Sequence, residues 1–342
     1  MAHATIKDVA KEANVSIATV SLVINNNDRI SQDTRKKVLK AITKLNYHPS
    51  RSARGLVSHK TGNIGFILTE EHFLRTEPFY TKVFLGTEFQ ARTEEYYVLL
   101  ATVSSSFSIS NGDLLPRFIV EKNFDGIIIA GKVSKSLIDS ILRYNKPTVF
   151  VDFSPNNGNY PNVLIDNVKG GQLATEHLIE NGHKKIGFIG GEISHPSIYD
   201  RLQGYKLALE RAKLNIDESL IITNDDYLSR QNGCSSAELL LGRRKDITAI
   251  FAANDATAFG IMQCLKNKGL EIPDKISVIG FDDVEVDSLI GPPLTTIRVP
   301  KLDMGIEAVQ LILGIINNKN IKAKKILVPV ELIVRKSTKN IN

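Results

Sequence analysis

No apolar run in this chain of 342 residues reaches the length needed to cross a bilayer. The N-terminus, MAHATIKDVA, has neither the apolar stretch nor the small-residue cleavage site of a secretory signal. Both absences predict a protein that stays in the cytoplasm. Cysteine is scarce: Cys234 and Cys264 are the two in the chain. Each lies in a helical pattern without a second ligand nearby, so two buried small side chains are expected rather than a metal site or a reactive thiol. Catalytic signatures are missing as well. There is no G-x-S-x-G elbow, no Walker loop and no H-E-x-x-H helix, and GFIGG lacks the spacing of a dinucleotide fingerprint. His177 and His183 flank a helix and its exit turn, where solvent or a backbone carbonyl is the expected partner. No catalytic residue, cofactor or metal ligand is assigned, and an enzyme is disfavoured.

Excess charge is also lacking, except in one place. The formal net charge is +6. Residues 1–60 hold eleven Lys or Arg against four Asp or Glu, which leaves 32 against 33 for residues 61–342. A basic head on a near-neutral body is the electrostatic footprint of a nucleic-acid-binding module, the plainer alternative being a solvated basic face.

The head has a pattern to match. In TIKDVAKEANVSIATVSLVIN, Ile6, Val9, Ala10 and Ala13 recur at helical spacing, the pattern stops at Asn14-Val15, and it resumes at Val20 and Val23. This predicts two short helices and a tight turn. Thr5 with Asp8 makes a capping-box-like start, and Ser16 has the chemistry to cap the second helix. With Val20 and Val23 turned to a core, Ile17, Ala18 and Leu22 are left outward. Such a helix fits a DNA major groove, with hydroxyls for phosphates and slender apolar tips for thymine methyls, although a small helical hairpin without DNA contact has the same pattern. Ser31 then caps a longer helix whose expected stripe is Val38, Leu39, Ile42 and Leu45. His48-Pro49 ends it. The basic stretch SRSARGLVSHKTGN follows, either a plain linker or a segment that folds only on DNA, with Arg51 and Arg54 near phosphates and Leu56 as a minor-groove wedge.

From Asn63 onward, short apolar runs alternate with amphipathic stretches. NIGFIL, YYVLLA, GIIIA, TVFVD, NVLID, KIGFIGG, TAIFAA and ISVIGFDD read as buried parallel strands. That pattern predicts an open α/β sheet with helices on both faces. The body is too long for one sheet, and the polar break at 154–162 predicts two. Ligands of such sheets lie beyond the carboxyl ends of strands, and two facing sheets make a cleft there. Asp152, Asn254, Asp255, Asp282 and Asp283 close strands, Arg201 follows one, and Tyr227 lies near another. Acids, an amide, an arginine and aromatics suit a polyhydroxylated ligand. Singly, each has a plainer reading as a helix cap, Asp255 and Asp283 above all.

Together with LNYHPS, SARGL, HLIENGHKKIGFIGG, DRLQGYKLAL, AIFAANDATAFG and PPLTTIRVP, these motifs resemble a bacterial LacI/GalR-family transcriptional repressor over essentially the whole chain. The resemblance implies a three-helix helix-turn-helix head (1–48), a hinge helix (49–61) and a core like periplasmic sugar-binding proteins (62–342). It divides the core into an N-subdomain of 62–162 plus 293–325 and a C-subdomain of 163–292 plus 326–342, joined by three crossings. By the same resemblance, Ile17, Ala18 and Leu22 read operator bases. Thr5, Ser16, Thr19, Ser21, Asn25 and Tyr47 touch the DNA backbone, and Leu56, with Arg51 and Arg54, enters the minor groove. Phe79, Tyr80, Asp152, Arg201, Tyr227, Asn254 and Asp282 line the effector cleft.

The implied function is sequence-specific repression by a homodimer on a pseudo-palindromic operator, under allosteric control by a small molecule, a sugar or sugar derivative. No heptad repeat follows the last strand near Arg335, which favours a dimer over a tetramer. A solute-binding protein or a sugar-modifying enzyme with a fused head is the alternative. Leu22 departs from the family, most of whose members carry arginine there, and so lacks a guanine contact worth about 1–3 kcal/mol of discrimination. Residues 70–78 and 104–110 also depart from the family pattern and leave the effector's identity open.

Overall fold

A computed structural model describes residues 4–24, 30–47, 60–73, 79–155, 160–223, 229–289, 291–317 and 324–342. The expected contacts of Asn25, Arg51, Arg54, Leu56 and Tyr227 lie outside the described residues.

The head is three helices, α1 (Ile6–Glu12), α2 (Ile17–Ile24) and α3 (Gln32–Lys44). Asp8 accepts from the Thr5 amide at 2.8 Å and from its hydroxyl at 2.7 Å, closing the first turn of α1. Asn14 takes a left-handed φ of 52° between α1 and α2, a conformation that asparagine tolerates better than most residues. Ser16 Oγ then accepts from the Thr19 amide at 3.1 Å, and Ser31 does the same for Thr34 at 3.3 Å. Val9, Ala10, Ala13, Val20, Val23, Val38, Ala41 and Tyr47 form the core of the head. Leu39 corrects the expected stripe: it is 49% exposed, and Ala41 takes the inward place because α3 meets α1 and α2 on the Val38–Ala41 side.

The remaining chain makes two six-stranded sheets. The first contains β1 (Asn63–Thr69), β2 (Tyr97–Val103), β3 (Gly126–Ala130), β4 (Thr148–Val151), β5 (Asn162–Ile165) and β11 (Lys325–Val328), in the order β11-β5-β4-β3-β1-β2. The second contains β6 (Ile186–Ile189), β7 (Ile221–Ile222), β8 (Ala249–Ala252), β9 (Ser277–Asp282), β10 (Thr295–Arg298) and β12 (Glu331–Ile333), in the order β12-β10-β9-β8-β6-β7. All neighbours pair in parallel except β12 with β10. Between the strands lie α4 (Glu70–Phe73), α5 (Phe79–Thr93), α6 (Arg117–Val120), α7 (Lys135–Leu142), α8 (Asn167–Glu180), α9 (Pro196–Arg211), α10 (Arg230–Arg243), α11 (Asp255–Asn267) and α12 (Lys301–Asn317).

Strand alternation explains why helices cover both faces. Ile64, Phe66, Ile128, Val149 and Val151 pack with Val83 of α5 and Met304 and Ile312 of α12. Their neighbours Ile67, Ile127, Ile129 and Phe150 turn to the opposite face and pack with Ile119, Leu137 and Ile141 of α6 and α7. YYVLLA departs from the expected buried run: β2 is an edge strand, with Tyr97 61% exposed.

The chain passes between the sheets three times, at Asp166, at Val299-Pro300 and at Pro329-Val330, the points between β5 and α8, β10 and α12, and β11 and β12. Sheet membership moves the expected subdomain boundaries. The polar break at 154–162 is a connection inside the first sheet, because Phe150 and Val151 of β4 pair with Asn162 and Val163 of β5. β10, expected in the first subdomain, pairs with β9 of the second, and β11 extends the first sheet to Val328. Pro, Asn and Gly mark a turn, and a turn does not distinguish a neighbouring strand from a new sheet.

Candidate functional site

In the head, the outward face of α2 is as the sequence predicts. Ile17 is 45% and Leu22 38% exposed, and Ala18 is exposed between them. Thr19 and Ser21 are half-buried beside this face, and the Thr19 hydroxyl lies 2.9 Å from that of Ser16. The Thr5 hydroxyl and amide are both engaged by Asp8, and these two hydrogen bonds lower the Asp8 pKa. Tyr47 is 7% exposed and chiefly a core residue of the head.

In the body, the carboxyl ends of the two sheets face one another. Lys132, after β3, lies 3.6 Å from Glu192, after β6, and Lys82 of α5 lies 2.6 Å from Glu285, after β9. On the same side of the sheets is a group of largely buried polar side chains. Arg201, in the second turn of α9, is 5% exposed. Its Nε donates to Asn167 Oδ1 at 2.9 Å and its Nη1 to the Ala253 carbonyl at 2.5 Å. Its guanidinium stacks 3.7 Å from the centre of the Phe281 ring. These contacts hold Nη2 3.8 Å from Asp282 Oδ1, an ion-pair distance too long for a hydrogen bond.

Asp282 ends β9 with φ 124°, and its Oδ1 is buried without a hydrogen-bond partner among the described residues. Burial pushes its carboxyl up to about 7, against the opposing pull of Arg201 and Lys301. Across the cleft, Asp152 takes φ 56° after β4 and accepts from the Tyr80 hydroxyl at 2.8 Å. Phe79 packs edge-on against Tyr80, with ring centres 4.9 Å apart.

The helix-cap readings divide. Asn254 does cap α11, its Oδ1 accepting from the Thr257 amide at 2.9 Å, which leaves the Nδ2 donors for other partners. Asp255 does not cap. It is fully buried and accepts from the Thr296 hydroxyl at 2.6 Å and the Val284 amide at 3.2 Å. Its neighbour Asp287 is pushed up to about 10, by burial and then by the charge of Asp255. Asp283 is drawn to Arg298 at 2.7 Å and Arg335 at 2.5 Å rather than to a helix.

Two residues of the site were not singled out from the sequence. His195 precedes α9 but its side chain makes no capping bond, and its Nδ1 is buried without a partner. Burial lowers its pKa, and Asp152, Arg201, Lys132 and Glu192 surround it with opposing effects. Lys301 begins α12 and is 5% exposed, its Nζ 5.7 Å from the centre of the Phe79 ring. A lysine at the positive end of a helix runs against the dipole, and that mismatch was the available signal.

Among the described residues there is no group of three or more His, Cys, Asp or Glu placed to hold a metal, and no helix long and apolar enough to cross a membrane. Cys264 is buried, its thiol pushed up to about 11 by burial and the adjacent Cys234. His183 bonds Thr248 at 3.0 Å and the Lys339 carbonyl at 3.2 Å, and His177 lies 2.9 Å from the Thr338 hydroxyl.

Residues 5–50 match the family model described as bacterial regulatory proteins, lacI family, and residues 175–338 match that of a periplasmic binding protein-like domain. An HTH-type transcriptional repressor PurR of Haemophilus influenzae (strain PittEE) is 36% identical over 343 residues, covering 99% of each chain. The chain belongs to the LacI family. The ribose operon repressor of Haemophilus influenzae (strain ATCC 51907 / DSM 11121 / KW20 / Rd) is 33% identical and covers 98% of each chain. Among solved structures, the lac repressor dimer bound to operator and the anti-inducer ONPF superposes with a TM-score of 0.80 at 28% identity, covering 99% of this chain and 100% of that one. A LacI-family regulator of Enterococcus faecium with bound ribose gives 0.69 at 27% identity, over 82% of this chain and 100% of its own. This LacI-family protein therefore unites a DNA-binding head with a two-sheet core of the effector-binding type, and its relatives are repressors rather than enzymes.

Proposed function

We propose that the protein is a cytoplasmic, dimeric repressor that reads its operator with Ile17, Ala18 and Leu22 and releases or retains it according to a sugar or sugar derivative held between the core subdomains. The observation that carries the effector reading is Asp282 Oδ1, 3.8 Å from Arg201 and buried without a hydrogen-bond partner among the described residues. A buried acceptor with no donor costs free energy that a ligand hydroxyl recovers. Asp152 with Tyr80, Asn254 and His195 surround the same space with acceptors and donors, and Phe79 offers an aromatic face. Ribose bound to one structural neighbour and cellobiose in the complex of another regulator support an uncharged saccharide.

On the DNA side, two recognition helices of a dimer would enter successive major grooves, with Thr5, Ser16, Thr19, Ser21, Asn25 and Tyr47 on phosphates. Leu56, with Arg51 and Arg54, would enter the central minor groove. A change of angle between subdomains would alter the spacing of the two heads and the pairing of their hinges.

The test is a thermal-shift screen of free mono- and disaccharides and phosphosugars on the full chain, followed by operator binding with each hit. The expected result is a rise in Tm with a neutral sugar, abolished by Arg201→Ala, and a change in operator affinity. Hits confined to phosphosugars would overturn the neutral-ligand reading, and turnover of the sugar would make the protein an enzyme.

A further inference from the structure

Lys301 is a lysine in two unfavourable settings at once. Its side chain is buried, and it stands at the positive end of α12. What holds it is main chain: Nζ donates to the Asp282 carbonyl and lies 3.5 Å from that of Asp283. Both of those residues have positive φ, 54° at Asp283, which aspartate tolerates, and 124° at Asp282, which side-chain-bearing residues adopt only under constraint. The ammonium thus caps a strained turn whose first residue is the effector-facing Asp282.

The two ends of this contact belong to different halves of the core. Asp282 and Asp283 leave β9 in the second sheet, whereas Lys301 begins α12, which packs on β3 and β4 of the first. The base of the lysine is held firmly, because α12 and α5 touch backbone to backbone. A Cβ at Gly86 would come within 2.0 Å of the Leu302 carbonyl oxygen, and one at Gly305 within 2.1 Å of that of Val83. Movement of the Asp282–Asp283 turn must therefore be followed by α12 and α5 or break the bond to Nζ.

We infer that Lys301 is a positioning residue that ties the orientation of Asp282 to the angle between the core subdomains, so that occupancy of the cleft is transmitted in part through this side chain. The inference rests on the proposed effector role of the cleft. An effector that draws the Asp282 carboxylate toward its hydroxyls rotates the peptide whose carbonyl Lys301 holds. Lys301 then carries that rotation to α12.

The experiment compares wild type, Lys301→Met and Lys301→Arg, first for Tm and far-UV circular dichroism and then for operator affinity, with and without the best binder from a library of free saccharides that includes D-ribose and cellobiose. Coupled sites typically change each other's affinity by about 5–150-fold. Compared at saturating sugar, Lys301→Met is expected to bring the sugar-dependent change in operator affinity well below that of wild type, with Lys301→Arg restoring most of it. If Lys301→Met is unfolded, Lys301→Gln, whose amide still donates to one carbonyl, takes its place and should show intermediate coupling. Wild-type coupling in the Met or Gln variant overturns the role of Lys301 alone, as does loss of coupling that Arg does not rescue. A wild-type protein that binds its operator but no saccharide in the library overturns the effector reading and the inference with it.

Discussion

Leu22 stands on the exposed face of α2, 38% exposed. A leucine can reward a thymine methyl but cannot make the paired hydrogen bonds of arginine to guanine, worth about 1–3 kcal/mol of discrimination. Leu22→Arg should therefore move the half-site preference toward guanine at one position in a randomised-operator selection. An unchanged consensus would remove Leu22 from the base-reading set. In the cleft, Asp282 makes a pH prediction. Burial lets the folded protein keep its proton up to about pH 7, well above the ordinary carboxylate value of 3.8. Between those values the native state binds more protons than the unfolded chain, so the contribution is fully present at low pH and is lost as pH rises toward 7. Asp282→Asn cannot ionise. Its Tm relative to wild type should rise from pH 5 to pH 8, and a constant difference would show that burial does not hold the proton.

At the scale of the element, short helices depend on their ends. α2 has eight residues, and Ser16 is its N-cap. Ser16→Ala should cost about 1 kcal/mol in urea unfolding of the isolated head. It should also weaken operator binding, because the same serine begins the recognition helix. Helix contact in the core is set by absent side chains: Gly86 meets the Leu302 carbonyl, where any Cβ must displace backbone. Gly86→Ala should lower Tm and shift sugar-dependent operator release together, as expected if α5 and α12 move as a unit. Apolar spacing in the sequence places helices at 79–92, 170–180 and 256–267, and α5, α8 and α11 begin within three residues of these starts. It places another at 204–212, whereas α9 begins at Pro196, eight residues earlier, because its first turns bury the polar Ser197 and Arg201 beside Ile198 and Leu202 and so blur the apolar pattern.

For the whole molecule, charge is segregated: the first 60 residues carry the excess and the remainder is nearly neutral. Operator affinity should fall steeply with salt, and the non-specific component should fall with it. Leu56→Ala should weaken specific binding while leaving the salt-dependent non-specific component nearly intact, since a wedge recognises a deformable step and phosphate contacts do not. Equal loss of both components in a graded-salt titration would overturn the wedge. The two sheets were legible as two, but not their membership. β5 (NVLI) and β10 (TTIR) carry no local mark of the sheet they join, which depends on pairing partners, more than a hundred residues away for β5 with β11.

Periodicity, caps and charge act over a few residues, so the sequence by itself determined the helix-turn-helix head, the alternating α/β core, the outward face of α2 and the strand-end residues Asp152, Arg201, Asn254 and Asp282. Tertiary structure alone decided which strand-end groups meet. Arg201 is aimed by Asn167 and the Ala253 carbonyl, Asp283 is taken by Arg298 and Arg335, and Lys301 reaches from one subdomain to the strained turn of the other. Those contacts join residues far apart in the chain, and burial, which raises the Asp282 pKa and isolates His195 Nδ1, exists only once the two sheets have closed on each other.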